Sequence, residues 1–261
     1  NGCTITDTVD VGESTLVLTI TNAVITDVSC YGGNDGEIKV TATGGDDSSP
    51  YSYLWDDPNS QTTATANNLY ADTFIVSVTD IANCTVSATL IVNQPDSIIM
   101  NINSIDISCF GEDDGIISTV VLGGTTPYTY LWSNGQTSST ISNLIAGTYS
   151  INVIDANGCP LIDAVIITEP LPLTCIVTTT NPLCHNDANG TLELVITGGT
   201  QPYEATHMSI VYPTTSNSII ISGLSAGSNM LSVTDANGCL NSTLSTLTHP
   251  LELETNNLTV N

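Results

Sequence analysis

Cys109-Phe110-Gly111-Glu112-Asp113-Asp114-Gly115 opens the stretch that decides the fold. Gly123-Gly124-Thr125-Thr126-Pro127-Tyr128-Thr129-Tyr130-Leu131-Trp132 follows it, then Asn143-Leu144-Ile145-Ala146-Gly147-Thr148-Tyr149, and Asp155-Ala156-Asn157-Gly158-Cys159 closes it. All four blocks recur, in the same order, on both sides. The opening block is also Cys30 to Gly36 and, more loosely, Cys184 to Gly190, at offsets of 79 (109 − 30) and 75 (184 − 109) residues. The closing block is also Asp235-Ala-Asn-Gly-Cys239 and the looser Asp80-Ile-Ala-Asn-Cys84. Four blocks in fixed order, three times over, define a tandem repeat in which each unit is one supersecondary module.

Between the blocks the chain alternates with a period of two, as half-buried strands do. The alternation places Phe74/Val76/Val78, Tyr149/Ile151/Val153 and Asn229/Leu231/Val233 inward, with Trp55 and Trp132 on the tyrosine face of their strands. Gly-Gly, Asn-Gly and Asp-Gly supply the positive φ of tight turns, and no stretch has helical periodicity. Six or seven short strands in about 75 residues predict an all-β fold: tandem immunoglobulin-like antiparallel β-sandwich modules of ~75–80 residues. The expected division is 1–22 (C-terminal part of a preceding repeat), 23–95, 96–170, 171–250, and 251–261 (start of a following repeat), with both ends falling inside modules.

Cysteine spacing suggests how such small cores are held. Every repeat opens and closes with a cysteine, so pairing within repeats gives Cys30–Cys84, Cys109–Cys159 and Cys184–Cys239. Each such staple is worth about 4 kcal/mol of loop-closure entropy; the alternative is reduced, buried cysteines. Cys3 is expected to pair upstream of this sequence. Cys175 occupies the position of Met100 in the preceding repeat and reads as a small buried hydrophobe.

The 261 residues carry one Lys+Arg (Lys39) against 26 Asp+Glu, for a formal net charge of −25. That surface repels phosphate backbones and anionic headgroups, so neither nucleic acid nor membrane is an expected partner. No apolar run approaches the ~20 residues of a membrane helix. His185, His207 and His249 lie in unrelated blocks, and no nucleophile–base constellation can be assembled around them. The chain therefore reads as non-catalytic, with no cofactor required. Calcium is the one cation considered. Asp35, Asp114 and Asn189 in the opening turns, with Asp80, Asp155 and Asp235 in the closing turns, would converge at one end of each module if the disulfides paired within repeats. The competing reading is that these residues cap their own turns.

The joint blocks C-x-G-x-x-D-G, G-G-x-x-P-Y-x-Y-x-W, L-x-A-G-x-Y and D-A-N-G-C resemble the SprB repeat, named after a giant surface adhesin of gliding Bacteroidetes. The resemblance covers essentially the whole chain, with residues 98–170 matching best. The first repeat departs by a two-residue insertion before Pro50 and by Asp72 in place of glycine. The third carries His207 at the Trp position, Asn229 at the aromatic one and Asn186 at the opening-block glycine, which predicts the same fold with a poorer core. The resemblance implies an extracellular, cell-surface segment exported by a type IX system. It also implies a ligand, such as surface polysaccharide, bound by regions outside this chain. Asp7-Thr8-Val9 and Asp96-Ser97-Ile98 resemble the sites at which Bacteroidetes attach O-glycans, making Thr8 and Ser97 candidate positions. Three functional classes follow: an adhesin stalk whose modules contact neighbouring repeats; a filament or hook in which copies of the chain associate laterally; and a direct glycan-binding module.

Overall fold

In the computed structural model, residues 17–45 and 50–252 are described; Thr8 and Cys3 lie outside them. Among the described residues there are nineteen strands and no helix, and no helix is long and apolar enough to cross a membrane. The first repeat supplies β1 (Thr19–Thr26), β2 (Gly36–Thr43), β3 (Ser52–Trp55), β4 (Thr65–Leu69), β5 (Asp72–Thr79) and β6 (Thr85–Val92). These form two three-stranded sheets in the orders β1-β2-β4 and β3-β5-β6, with every recorded pairing antiparallel. This is the immunoglobulin arrangement, A-B-E against C-F-G.

The second repeat repeats it with β7 (Ile99–Ile105), β8 (Gly115–Leu122), β9 (Thr129–Trp132), β10 (Thr140–Leu144), β11 (Gly147–Ile154) and β12 (Pro160–Ile167), ordered β10-β8-β7 and β12-β11-β9. The third has seven strands: β13 (Thr174–Thr180), β14 (Gly190–Thr197), β15 (Tyr203–His207), β16 (Ile210–Thr214), β17 (Ser218–Leu224), β18 (Gly227–Thr234) and β19 (Leu240–Leu247). Its second sheet gains an edge strand, β16-β15-β18-β19, through a two-residue hairpin at Met208-Ser209 with φ of 47° and 67°. Nothing in that dipeptide resembles the Asn-Gly signature of such turns, so the extra strand leaves little trace in the sequence.

The alternation placed the core correctly. Val76, Val78, Val153, Leu231 and Val233 are fully buried, as are Phe74, Ile151, Tyr149 and Asn229 within a few per cent. Trp55 and Trp132 are buried too, each indole N–H donating to a backbone carbonyl (Thr63 at 2.9 Å, Ser138 at 3.0 Å). They are not available to stack on a sugar. Tyr149 donates to Ile145 O at 2.9 Å across the turn into β11, the tyrosine corner of immunoglobulin-like sandwiches.

Two repeated blocks have a direct steric cause. Asn68, Asn143 and Gly223 all adopt left-handed φ (56°, 57° and 78°) where the register slips between β4 and β2, β10 and β8, and β17 and β14. Only Asn or Gly enters that region cheaply. In the Gly-Gly block a side chain would collide on both sides. A Cβ at Gly123 would lie 2.0 Å from Ser97 O, and one at Gly124 would lie 2.8 Å from Asp155 Oδ2. Gly198 and Gly199 face Pro172 O and Asp235 Oδ2 in the same way. The Gly-Gly pair and the closing aspartate therefore belong to one end of the module.

One boundary moves. β1 pairs with β2 from Thr19↔Thr43 onward, and Leu18 lies in the first core. The first sandwich therefore includes residues from Leu18 on that were assigned above to a preceding repeat. Within the described residues the chain divides into two compact units. One takes residues up to Asn101, Val120–Leu131 and Asn152–Ile162; the other takes Ile102–Thr119, Trp132–Ile151 and residues from Asp163 on.

The third core departs as expected. It is split into two buried clusters, one around Leu194, Ile196 and Val233 and one around Leu192, Leu231 and Leu247. In place of the Trp and the aromatic stand His207 and Asn229, 2% and 3% exposed. Asn229 Nδ2 donates to Gly227 O at 3.0 Å, which leaves Oδ1 to accept from His207 Nε2–H at 3.0 Å. The polar pair is satisfied as a pair. His207→Leu alone strands the Asn229 oxygen and costs about 1–3 kcal/mol, whereas His207→Leu with Asn229→Leu recovers much of that loss. Urea denaturation of the four variants of the cycle measures this; strictly additive losses would refute the coupling.

Candidate functional site

The two ends of each sandwich carry different residues. In the first repeat, one end gathers Leu18, Gly44, Gly45 and the closing turn Asp80–Cys84. The other gathers the opening turn and the exit of β6: Val28 N donates to Asn93 O at 2.9 Å, Asn93 N to Asp27 Oδ1 at 2.8 Å, and Gly32 N to Gln94 Oε1 at 2.6 Å. The second unit repeats these ties with Ile107 N to Thr168 O, Thr168 N to Asp106 Oδ1 and Gly111 N to Glu169 Oε2. The residue before each interdomain proline is thus held by the opening turn. In the third repeat His249, ring to ring with His185 (Nδ1···Nδ1 3.2 Å, centroids 4.4 Å), stands at that position.

This placement overturns the pairing within repeats. Eight-residue strands separate the two ends by about 26 Å, while a disulfide needs Cα atoms within about 7 Å. Cys30 and Cys84 sit at opposite ends, as do Cys184 and Cys239. The disulfides instead join the opening turn of one repeat to the closing turn of the next: Cys30–Cys159 (Cα–Cα 5.7 Å) and Cys109–Cys239 (5.6 Å). Each lies inside one compact unit. Cys84 and Cys184 are free and exposed.

Each staple is flanked by the same polar contact. Asn157 Nδ2 donates to Ser29 O at 2.9 Å and to Thr125 Oγ1 at 3.1 Å. Asn237 Nδ2 donates to Ser108 O at 2.9 Å and to Thr200 Oγ1 at 3.2 Å. A shallow groove beside the first staple is lined by Tyr31, Pro95, Ile98, Pro160 and Leu161. Sequence reasoning missed Asn157, Asn237, Ser29 and Ser108 as junction residues. The signal was present in the identical Asp-Ala-Asn-Gly-Cys blocks, which a turn alone does not require.

The calcium expectation rested on both turns sharing one end of a module, and they do not. Each of the six residues caps its own turn: Asp35, Asp114 and Asn189 accept from the backbone N–H of Ser29, Ser108 and Leu183, all at 3.0 Å. Asp80, Asp155 and Asp235 accept from Cys84, Cys159 and Cys239 N–H at 2.8–2.9 Å. No group of three or more His, Cys, Asp or Glu among the described residues is placed to hold a metal. Ser97 is exposed beside the first junction, and Cys175 is partly buried, its thiol 3.1 Å from Asn241 Oδ1 and pushed to a higher pKa by burial.

Hydrogen bonding from Ser29 and Ser108 holds Asp35 and Asp114 below the usual carboxylate range. Burial pushes Asp155 the other way, but the N–H groups of Cys159, Thr125 and Asn157 outweigh it, and its pKa is lowered as well. A depressed folded-state pKa contributes stability above the unfolded value, near 4, that disappears as pH falls through the folded one. Melting temperature should therefore hold from neutral pH to about 5 and drop below about 4. Asp155→Asn, which loses charge-assisted bonds, should melt lower at pH 7 and show a shallower acid decline. An acid profile identical to wild type would remove Asp155 from that account.

Comparison with known proteins agrees with the repeat read from the sequence. The SprB repeat family model matches residues 22–60, 101–137 and 176–204. No curated protein sequence matches the chain. Among solved structures, the three immunoglobulin domains I67–I69 of titin, as an E-to-A variant, align at 14% identity, covering 92% of this chain and 100% of that one with a TM-score of 0.41. Sidekick-1 immunoglobulin domains 1–5 align at 10% identity, covering 92% and 60%, with a TM-score of 0.40. Domains 4–9 of the surface layer protein SbsC align at 14% identity, covering 92% and 48%, with a TM-score of 0.28. Every match of the family model begins in the first strand of a sandwich and runs through its opening turn, so the family model matches each of the three modules at the same place.

Proposed function

We propose that this chain is a non-catalytic stalk segment of a large, exported cell-surface adhesin, supplying length and mechanical resistance to a binding region outside it. The observation that carries this reading is the disulfide across each module junction. A staple inside a module would protect a core, whereas Cys30–Cys159 and Cys109–Cys239 tie one module to the next. Their persistence requires an oxidising compartment, in keeping with an extracellular location. The hydrogen-bonded residues before Pro95 and Pro170 further restrict each joint.

The staples overlap along the chain, which gives the proposal a mechanical signature. Between Cys30 and Cys239 the reduced chain offers 209 residues (239 − 30), about 700 Å when extended. With both disulfides intact, the taut path crosses one bridge, runs back from Cys159 to Cys109 and crosses the other: 50 residues (159 − 109), about 170 Å. Single-molecule pulling with and without reductant should show this difference in contour length. Equal lengths in the two conditions would sink the stalk reading.

One observation favours lateral association into a filament. The edge strand β16 exposes Ile210 and Val211, with Met208 at its hairpin, and an unpaired apolar edge can accept another strand. The net charge of −25 opposes this at low ionic strength. Sedimentation of the oxidised chain should give a monomer at low salt. Assembly at high salt that Ile210→Lys abolishes would favour the filament reading instead.

A further inference from the structure

The two cysteines that are exposed and free among the described residues, Cys84 and Cys184, are not equivalent to each other. Each matches one half of a junction that is complete elsewhere in the same chain. Cys84 stands where Cys159 and Cys239 stand, and Cys184 where Cys30 and Cys109 stand.

Both halves are already shaped for the bond. In the closing turn of the first repeat, Asp80 N donates to Cys84 O at 3.0 Å and Cys84 N to Asp80 Oδ1 at 2.8 Å. The paired turns have the same bonds at 3.1 and 2.9 Å (Asp155–Cys159) and at 3.0 and 2.9 Å (Asp235–Cys239). Asn83 takes the positive φ, 65°, that Gly158 and Gly238 take at 87° and 89°. In the opening turn of the third repeat, Asp187 N donates to Cys184 O at 3.2 Å, as Gly33 N does to Cys30 O at 2.9 Å and Glu112 N to Cys109 O at 3.1 Å. The Leu183–Asn189 cap copies Ser29–Asp35. Beside the two thiols stand the exposed apolar side chains of Ile81 (58%) and Leu183 (79%). One element differs: Ala82 replaces the asparagine that donates across the paired junctions, so this half offers its partner the thiol without the amide.

We propose that Cys84 and Cys184 are complementary half-staples, each completed by the opposite turn of another SprB-type module. Cys84 takes an opening-turn cysteine and Cys184 a closing-turn cysteine. The step is a thiol–disulfide exchange: the two cysteines lose two electrons and two protons, and a protein or small-molecule disulfide is reduced to two thiols. This inference rests on the reading of the junction disulfide as the device that links modules.

The test is peptide mapping of the native, secreted protein, alkylated without reductant and digested at its acidic residues, since trypsin has only Lys39 to cut. Neither Cys84 nor Cys184 should carry the alkyl label until reductant is added, while Cys175 should carry it throughout. The Cys84 peptide should be linked to a sequence of opening type, and the Cys184 peptide to one of closing type. If those partners are the Cys184 and Cys84 peptides themselves, the other module belongs to a second copy; if they are other sequences, it is a further module in series. Labelled thiols at 84 and 184 beside an intact Cys30–Cys159 would overturn the proposal alone, as would like-with-like links. Loss of Cys30–Cys159 as well would overturn the stalk reading with it.

Discussion

The length of the strands governs everything else in this molecule. Eight residues of extended chain carry the backbone from one end of a sandwich to the other, so residues a few positions beyond opposite strand ends cannot meet within a module. The repeated blocks sort themselves by this distance. The Gly-Gly pair, the Pro-Tyr that follows it and the closing Asp-to-Cys turn gather at one end, where Tyr51, Tyr128 and Tyr203 each donate to the first glycine's carbonyl. The opening Cys turn and the residue before the interdomain proline gather at the other. What the four blocks encode is a pair of matched end faces more than a core.

The core itself needs less specification. Alternation placed every inward residue of β5, β11 and β18, because the side-chain period of a strand is two whatever the neighbouring modules do. The tryptophans followed the same rule. Turn chemistry was legible where asparagine or glycine must take a left-handed φ, as at Asn68, Asn143 and Gly223. Three features were not legible. The hairpin at Met208-Ser209 uses residues with no turn preference. The His207–Asn229 pair reads as two separate losses until the hydrogen bond between them is seen. The cysteine pairing was read from nearness in sequence, whereas the strands carry the two cysteines of a repeat to opposite ends and those of adjacent repeats to a common joint. The premise of the calcium expectation, that both turns share one end of a module, inherited the same error.

Pairing across joints also changes what a module is. A loop of roughly 130 residues contributes about 5 kcal/mol of closure entropy on the chain-entropy account, and it is shared between two sandwiches. The division of the chain into compact units reflects this: each staple falls inside a unit, and the middle repeat is cut between them. The third repeat, with its core in two clusters, is thereby anchored through Cys239 to the opening turn of the middle repeat.

The interleaving of the two disulfide loops has a topological consequence. Cys109 lies inside the loop closed by Cys30 and Cys159, while its partner Cys239 lies beyond it. A single backbone nick anywhere between Cys30 and Cys239 therefore leaves both fragments covalently attached, through one bridge or both. Bridges confined to single repeats would have left the connectors around Pro95 and Pro170 as points where one cut severs the molecule. Interlocked loops remove those points, so the segment has built-in redundancy: it can be damaged locally and still transmit load.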